Sequence, residues 1–246
     1  MNTEILFISD LHLDRHKPLI SENFLSFVKT RASSARVLYI LGDLFEAWLG
    51  DDDSAEDLGS VFDALRQLTV TTEVFFLHGN RDFLLGDITA RKLGIQILKD
   101  PQIIHLGSHR VALMHGDQLC TDDNEYQEFR ARVRSAQWKQ NFLAKPLSER
   151  QSIAAQLRAQ SQLAMQQKSD SIMDVNQQTA SEYFDQLGVD TIIHGHTHRP
   201  CIHKDNPAKL RIVLGDWNPE PSYLSWKNGR FNLCDTRVPG ERASLD

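Results

Sequence analysis

Apolar and polar positions alternate between two periods along this chain, and the switches between them mark its elements. Ile5-Leu6-Phe7-Ile8-Ser9 is a short, β-prone apolar run, which predicts a buried strand. Phe24, Phe27 and Val28 then recur at helical spacing, predicting a helix over 21–33 with Ser21 as its cap. Arg36–Leu41 reads as a second strand, and 56–68 as a helix with Leu58, Val61, Phe62 and Leu65 on one face. Glu73–Leu77 is a third strand, and a short helix closes at Arg91–Gly94. Gln102–Leu106 and Arg110–Met114 read as a hairpin turned by Gly107-Ser108. Asn176–Leu187 is a helix closed by Gly188, and Val189–Ile193 is a further buried strand. Arg211–Leu214, Tyr223–Trp226 and Phe231–Leu233 suggest a second sheet at the C-terminus. Alternating strands and helices predict an α/β fold with parallel strands, in which ligands gather at the carboxyl ends of strands.

The segment 121–170 breaks this rhythm. It lacks strand signals and is rich in Gln, Arg and Ala. Between Tyr126 and Lys168 eight Lys or Arg stand against two Glu, a net of +6 in a chain of formal charge −6. The remainder therefore carries about −12. Tyr126, Phe129 and Val133 form one helical stripe, Trp138, Phe142 and Leu143 an apolar cluster beside Lys139 and Lys145. Pro146-Leu147 breaks the run, and Ser148 with Gln151 resembles a capping box opening another helix. On it Leu157, Ser161, Met165 and Lys168 share a face. This basic island is expected to be an insertion between core segments 1–120 and 171–246. Two readings fit: a helical hairpin packed on the core, or a cap for an anionic amphipathic ligand or anionic membrane surface.

Composition adds limits. The 246 residues, 41% hydrophobic and 24% charged, suffice for a sizeable core. The acidic balance argues against a general nucleic-acid binder. No secretory signal and no spanning run of ~18 apolar residues is visible. Three scattered cysteines, Cys120, Cys201 and Cys234, suggest structural residues in a reducing compartment.

The chemistry gathers where strands end. Asp10 and His12, Asp43, Asn80, His115, and His196 and His198 each follow a predicted strand. Any one of these pairs is an ordinary loop. Five strand ends carrying ligand types together predict a metal centre. An Asp/Asn/His set suits Mn²⁺, Fe²⁺ or Zn²⁺ better than Ca²⁺ or Mg²⁺. Seven ligands exceed one tetrahedral site and fit two ions sharing a carboxylate. The acidic triple Asp51-Asp52-Asp53 lacks strand support and reads as a solvated loop. His16, His105, His109 and His203 lie away from strand ends and read as structural or solvent-facing, and His194 as a packing residue.

In order, Asp10-x-His12, Gly42-Asp43, Gly79-Asn80-Arg81-Asp82, His115-Gly116-Asp117 and Gly195-His196-Thr197-His198 resemble the signature of calcineurin-like metallophosphoesterases. Longer blocks, His78–Phe83, His115–Asp123, Ile172–Asn176 and His194–Pro200, are similar to the branch of that superfamily acting on UDP-2,3-diacylglucosamine in Gram-negative lipid A synthesis. The resemblance implies two packed mixed β-sheets flanked by helices, with an inserted helical cap. It implies two Mn²⁺: one on Asp10, His12, Asp43 and His198, the other on Asp43, Asn80, His115 and His196. It implies substrate contacts from Asn80, Arg81, Asp123, Ser161, Met165, Lys168 and His196, with Met165 standing where relatives can carry a polar Asn. Asn80, Arg81 and Asp82 are the expected catalytic residues, Arg81 neutralising a phosphate leaving group and Asp82 orienting Arg81 or a ligand histidine. The implied reaction is hydrolysis of the pyrophosphate at the α-phosphorus, giving UMP and 2,3-diacylglucosamine 1-phosphate. The implied setting is peripheral attachment of a monomer to the cytoplasmic face of the inner membrane, through the Trp138/Phe142/Leu143 cluster. Rival readings are a cyclic-nucleotide or general nucleotide phosphodiesterase, which favours His where Arg81 stands, and a non-catalytic module, which predicts lost ligands. A protein phosphatase would carry a longer Gly-Asp-x-x-Asp-Arg-Gly block, whereas Leu-Phe-Glu-Ala-Trp follows Asp43.

Overall fold

A computed structural model of the chain describes residues 3–169, 172–206, 209–218 and 220–244. Its first strand, β1 (Ile5–Ile8), is buried along its whole length, as an uninterrupted apolar run requires. β1 pairs in parallel with β2 (Val37–Ile40), β2 with β3 (Glu73–Phe76), and β3 with the short β4 (Gln96–Ile97). Alternate residues serve two layers. Leu6, Ile8, Leu38, Ile40, Val74 and Phe76 face α1 (Pro18–Thr30), α2 (Gly59–Leu68) and α3 (Asp87–Leu93) in one core cluster. Ile5, Phe7 and Val37 turn to the other face and meet a second sheet.

That sheet contains β5 (Gln102–Leu106), β6 (His109–Leu113), β7 (Thr191–His194), β8 (Cys201–Asn206) and β9 (Lys209–Val213), ordered β5-β6-β7-β9-β8. Leu106, Val111, Leu113, Ile193, Leu210 and Ile212 are its contribution to the inter-sheet core. Its outer face, with Ala112, Met114 and Ile192, packs on Ala180 and Phe184 of α7 (Gln177–Leu187). The two mixed sheets flanked by helices are the architecture expected.

The C-terminal strands correct one expectation. They form no sheet of their own. β9 inserts beside β7, while β10 (Tyr223–Lys227), β11 (Arg230–Cys234) and β12 (Arg242–Ser244) extend the first sheet antiparallel from β1. β2 occupies one side of β1, and its other side would be an unpaired, buried row of peptide groups without β10. Helix starts also shift. α1 opens at Pro18, not Ser21, because Pro at the first position has no N–H to leave unsatisfied.

Residues 121–170 hold α4 (Asn124–Arg134), α5 (Ala136–Leu143) and α6 (Leu147–Gln167). Ser148 lies inside the first turn of α6 rather than capping it. Of the α6 side chains described, only Arg150 is fully buried, 1% exposed. It donates to the carbonyls of Leu49 and Lys145 and pairs with Asp52. The Asp51–Asp53 loop is therefore structural rather than merely solvated, since Asp51 also accepts the N–H groups of Gly86 and Ile88 at the start of α3. Trp138 and Phe142 stack at 4.6 Å and pack on the α1–α3 core cluster. These two rings anchor the segment, and of the predicted apolar cluster only Leu143 is exposed, at 43%.

Candidate metal centre

Because β1, β2, β3, β6 and β7 run parallel to their neighbours, their carboxyl ends open on one edge of the sandwich. Short backbone bonds tie those ends together. Asp10 N–H donates to the Gly42 carbonyl (3.1 Å), His12 N–H to Asp43 (2.9 Å), and Gly195 N–H to His115 (2.8 Å). The His115 Nδ1–H donates to the Leu41 carbonyl (2.9 Å), joining the two sheets and leaving Nε2 free to point inward.

Seven non-glycine residues among those described have positive φ, and Asp10, His12, Asp43, His196 and His198 are five of them. Each such conformation costs of order 1 kcal/mol or more and persists only where surrounding structure imposes it. The strain turns successive side chains toward one point. His12 and His198 bring their Nε2 atoms to 3.3 Å, and His198 Nε2 lies 3.4 Å from Asp10 Oδ1. On the other side, Asn80 Oδ1 sits 3.0 Å from both His115 Nε2 and His196 Nδ1. Asp43 lies between: Oδ2 is 3.9 Å from His12 Nε2 and Oδ1 is 3.8 Å from His115 Nε2. All seven predicted ligands thus meet, in two groups about one carboxylate.

Two glycines are required by this closeness. A Cβ on Gly79 would sit 2.0 Å from Asp43 Oδ1, and one on Gly195 2.2 Å from Asp10 Oδ2. Neither carboxylate could keep its place beside a methyl group.

The electrostatics fit a cation. Asp10 and Asp43 are buried with ligand atoms within 4.8 Å of each other, and Asp10 Oδ1 has no hydrogen-bond partner. Burial pushes Asp43 upward and the Asp10 charge adds to it. Burial also works to raise Asp10, but the His198 ring 3.4 Å from its Oδ1 outweighs it and holds the carboxyl below its ordinary value. Burial lowers His12 and His196 to about 3, keeping both rings neutral as ligands must be. For His115 burial is outweighed by the charges of Asp43, Asp10 and Asp117, which raise it to about 9. A charged His115 is the proton's answer to an acidic cluster that a divalent ion answers better.

Other predicted site residues divide. Arg81 lines the cavity beside Asp10, His12 and His198, and its N–H donates to Asp43 Oδ1 (2.8 Å). Asp82 departs from expectation. It is fully buried and orients neither Arg81 nor a histidine, because its oxygens accept the N–H groups of Gly79 (2.8 Å), Asp43 (3.3 Å), Leu44 (2.8 Å) and Phe45 (3.4 Å). Burial and the Asp43 charge push it up to about 6. Asp123 caps α4 through Tyr126 N–H and pairs with Lys168 at 2.7 Å. Ser161 is exposed on α6, and the side chain of Met165 lies outside the described residues. His194 is buried, its Nδ1–H donating to Gly195 O.

Several participants escaped the sequence reading. Tyr126 stacks on His196 (5.6 Å, 28°) and donates its hydroxyl to Asp117. Asp117 also takes Arg130 and Arg134, and Arg134 reaches the Gly79 carbonyl at 3.1 Å. Asp117 stood in a conspicuous motif, but its partners are 9–17 residues away on a helix whose docking no pattern reveals. Glu46, Lys17 and Arg158 converge from three separate elements and had no signal at all.

Comparison with known proteins agrees with this geometry. The family model described as calcineurin-like phosphoesterase matches residues 3–200. The chain is 47% identical over 218 residues to the UDP-2,3-diacylglucosamine hydrolase of Chromohalobacter salexigens, covering 87% of this chain and 89% of that one. It is 47% identical over 228 residues to the protein of the same name from Serratia proteamaculans, covering 91% and 94%. Among solved structures, Vps29 of Entamoeba histolytica complexed with Zn²⁺ superimposes with a TM-score of 0.51 at 18% identity, over 99% of this chain and 100% of that one, a likeness of fold alone. The chain belongs to the calcineurin-like phosphoesterase family and, within it, to the group of UDP-2,3-diacylglucosamine hydrolases.

Proposed function

We propose that this protein hydrolyses the pyrophosphate of UDP-2,3-diacylglucosamine, releasing UMP and 2,3-diacylglucosamine 1-phosphate for lipid A biosynthesis. The observation that carries it is the two-group convergence of seven donors about Asp43, in a chain whose relatives bear that name. Asp10, His12, Asp43 and His198 would hold one Mn²⁺, and Asp43, Asn80, His115 and His196 a second. Two such ions, when bound, lower the pKa of a water and polarise a phosphoryl oxygen.

The chain's own residues supply the rest. Arg81, permanently charged and forked, neutralises charge on the departing lipid phosphate, which needs no proton from the protein. Asp82 acts beneath the centre, holding the backbone of the Asp43 and Asn80 loops in register. Asn80 and His196 contact substrate as well as metal, and Asp123, Ser161, Met165 and Lys168 are its further contacts. The cap, 121–170, offers basic groups for phosphate and apolar surface for acyl chains. Of the described side chains of its helix α6 only Arg150 is buried, and the rest are exposed or half-buried, which suits an element completed by its ligand.

Among the described residues no helix is long and apolar enough to cross a membrane. Attachment to the inner-membrane face is instead peripheral, and since Trp138 and Phe142 are committed to packing, Leu143 and Leu163 are the exposed large apolar side chains that 121–170 offers to a bilayer surface.

Phosphorus NMR of the reaction in ¹⁸O-water with Mn²⁺ tests the reading. UMP is expected to carry the heavy oxygen. The label in the lipid phosphate would reverse the phosphorus attacked, and absence of hydrolysis would remove the proposed activity.

A further inference from the structure

Beside the first ligand group lies a cavity of about 160 Å³, and none of the predicted substrate contacts except Arg81 lines it. Asp10, His12, His198 and Arg81 form its inner wall, Lys17, Glu46, Arg158, Asp216, Trp217 and Asn218 much of the rest. Asn80 and His196 belong to the second ligand group, and Asp123, paired with Lys168, caps the helix whose Tyr126 stacks on His196. A pyrophosphate diester has two arms. If one arm leaves the ligand cluster toward Asp123 and Lys168, the other must leave on the far side, where this cavity opens.

The cavity is built for an anion with hydrogen-bonding groups. Among the described residues, three buried donors that lack a hydrogen-bond partner belong to its lining: His12 Nδ1, Arg81 Nε and Trp217 Nε1. A buried donor left unmet costs of order 1–3 kcal/mol, so such a concentration marks a place that a ligand completes. Trp217 is 1% exposed, held edge-on by Phe24 and Phe27, so its indole N–H has a rigid mount. Lys17, from the turn before α1, and Arg158, from α6, both pair with the Glu46 carboxylate, Lys17 at 3.3 Å. Glu46 is three residues past Asp43 and lines the cavity. It occupies the position on two cations that a phosphate oxygen would occupy.

We propose that this cavity is the subsite for the nucleoside monophosphate arm, with Lys17 and Arg158 taking the phosphate from Glu46. The inference rests on the pyrophosphatase reading above and assigns which side of the centre each arm takes. The lipid arm is the poorer fit, since acyl chains gain ~0.8 kcal/mol per CH₂ only against apolar surface. Charged or amide side chains supply most of the wall here. Glu46 then acts as an internal competitor that neutralises the pair of cations until substrate arrives.

Calorimetric titration of the Mn²⁺-loaded protein with UMP, and separately with 2,3-diacylglucosamine 1-phosphate, tests this. Lys17 is 47% exposed, so Lys17→Gln keeps the fold. Lys17→Gln is expected to weaken UMP about five- to tenfold and the lipid phosphate less than twofold. Glu46→Gln, which removes the competing charge, is expected to tighten UMP severalfold. Lys168→Gln should show the reverse selectivity, weakening the lipid phosphate alone. UMP affinities within twofold of wild type in both Lys17→Gln and Glu46→Gln would overturn the assignment, as would loss of lipid-phosphate affinity in Lys17→Gln. Inorganic phosphate binding as tightly as UMP would remove the nucleoside from the claim. If the wild-type protein fails to hydrolyse UDP-2,3-diacylglucosamine, the pyrophosphatase reading itself falls, which distinguishes that failure from an active enzyme with misassigned arms.

Discussion

Asp82→Asn isolates the loops that carry the ligands from the chemistry performed on them. The wild-type carboxylate accepts four backbone N–H groups, two on each oxygen. Replacing one oxygen by NH₂ removes two acceptor sites and sets a donor against donors. Whichever way the amide turns, it loses one bond of 2.8 Å and one of 3.3–3.4 Å. The short bond is worth about 1–3 kcal/mol because its N–H stays buried, and the long one about 1 kcal/mol or less. Relief of the repulsion between Asp82 and Asp43 returns part of this, since that charge helps raise Asp82 to about 6. A net loss of about 2 kcal/mol remains, or roughly 4–8 °C in Tm for a chain of this size. Because the Asp43 and Asn80 loops shift together, metal affinity should fall about 10- to 100-fold. Differential scanning fluorimetry with and without chelator, together with Mn²⁺ titration, measures both. A Tm within 1 °C of wild type and an unchanged metal affinity would refute the view that Asp82 is the clamp between these loops.

Arg81→Ala should lower kcat about 10²- to 10³-fold with metal content kept, measured by product release and elemental analysis. Gly195→Ala should abolish metal binding at the first group, because the new methyl falls on the Asp10 carboxylate, and metal stoichiometry reads this directly. Arg150→Ala should cost about 2–4 kcal/mol in urea unfolding by removing a buried side chain and its bonds to the Leu49 and Lys145 carbonyls, with faster proteolysis within 121–170. In the metal-free protein His115 is raised from 6.5 to about 9, so its contribution to stability is complete below pH 6.5 and is lost as pH rises through 9. Thermal melts between pH 6.5 and 9 should therefore fall more steeply with chelator than with Mn²⁺, since a metal-bound His115 carries no proton to lose.

Much of the ligand set was legible because its signal is local. A parallel strand forces side chains to its carboxyl end, so Asp10, Asp43, Asn80, His115 and His196 declared themselves by following apolar runs. The basic segment 121–170 was visible as a change of composition. Period and charge depend only on neighbours along the chain, so the sequence determined the strand ends, the candidate ligand types and the helical character of 121–170. What required tertiary structure is whatever depends on distance between segments far apart in number. Only packing made Asp82 a backbone clamp, decided that Phe142 is buried in the core, and drew Arg150 down to Leu49 and Asp52. Only the open edge of β1 decided that the C-terminal strands would join the first sheet. Only the folded chain set Lys17, Glu46 and Arg158 against one another, since charges 29 and 112 residues apart carry no mutual pattern until the fold brings them within a few ångströms.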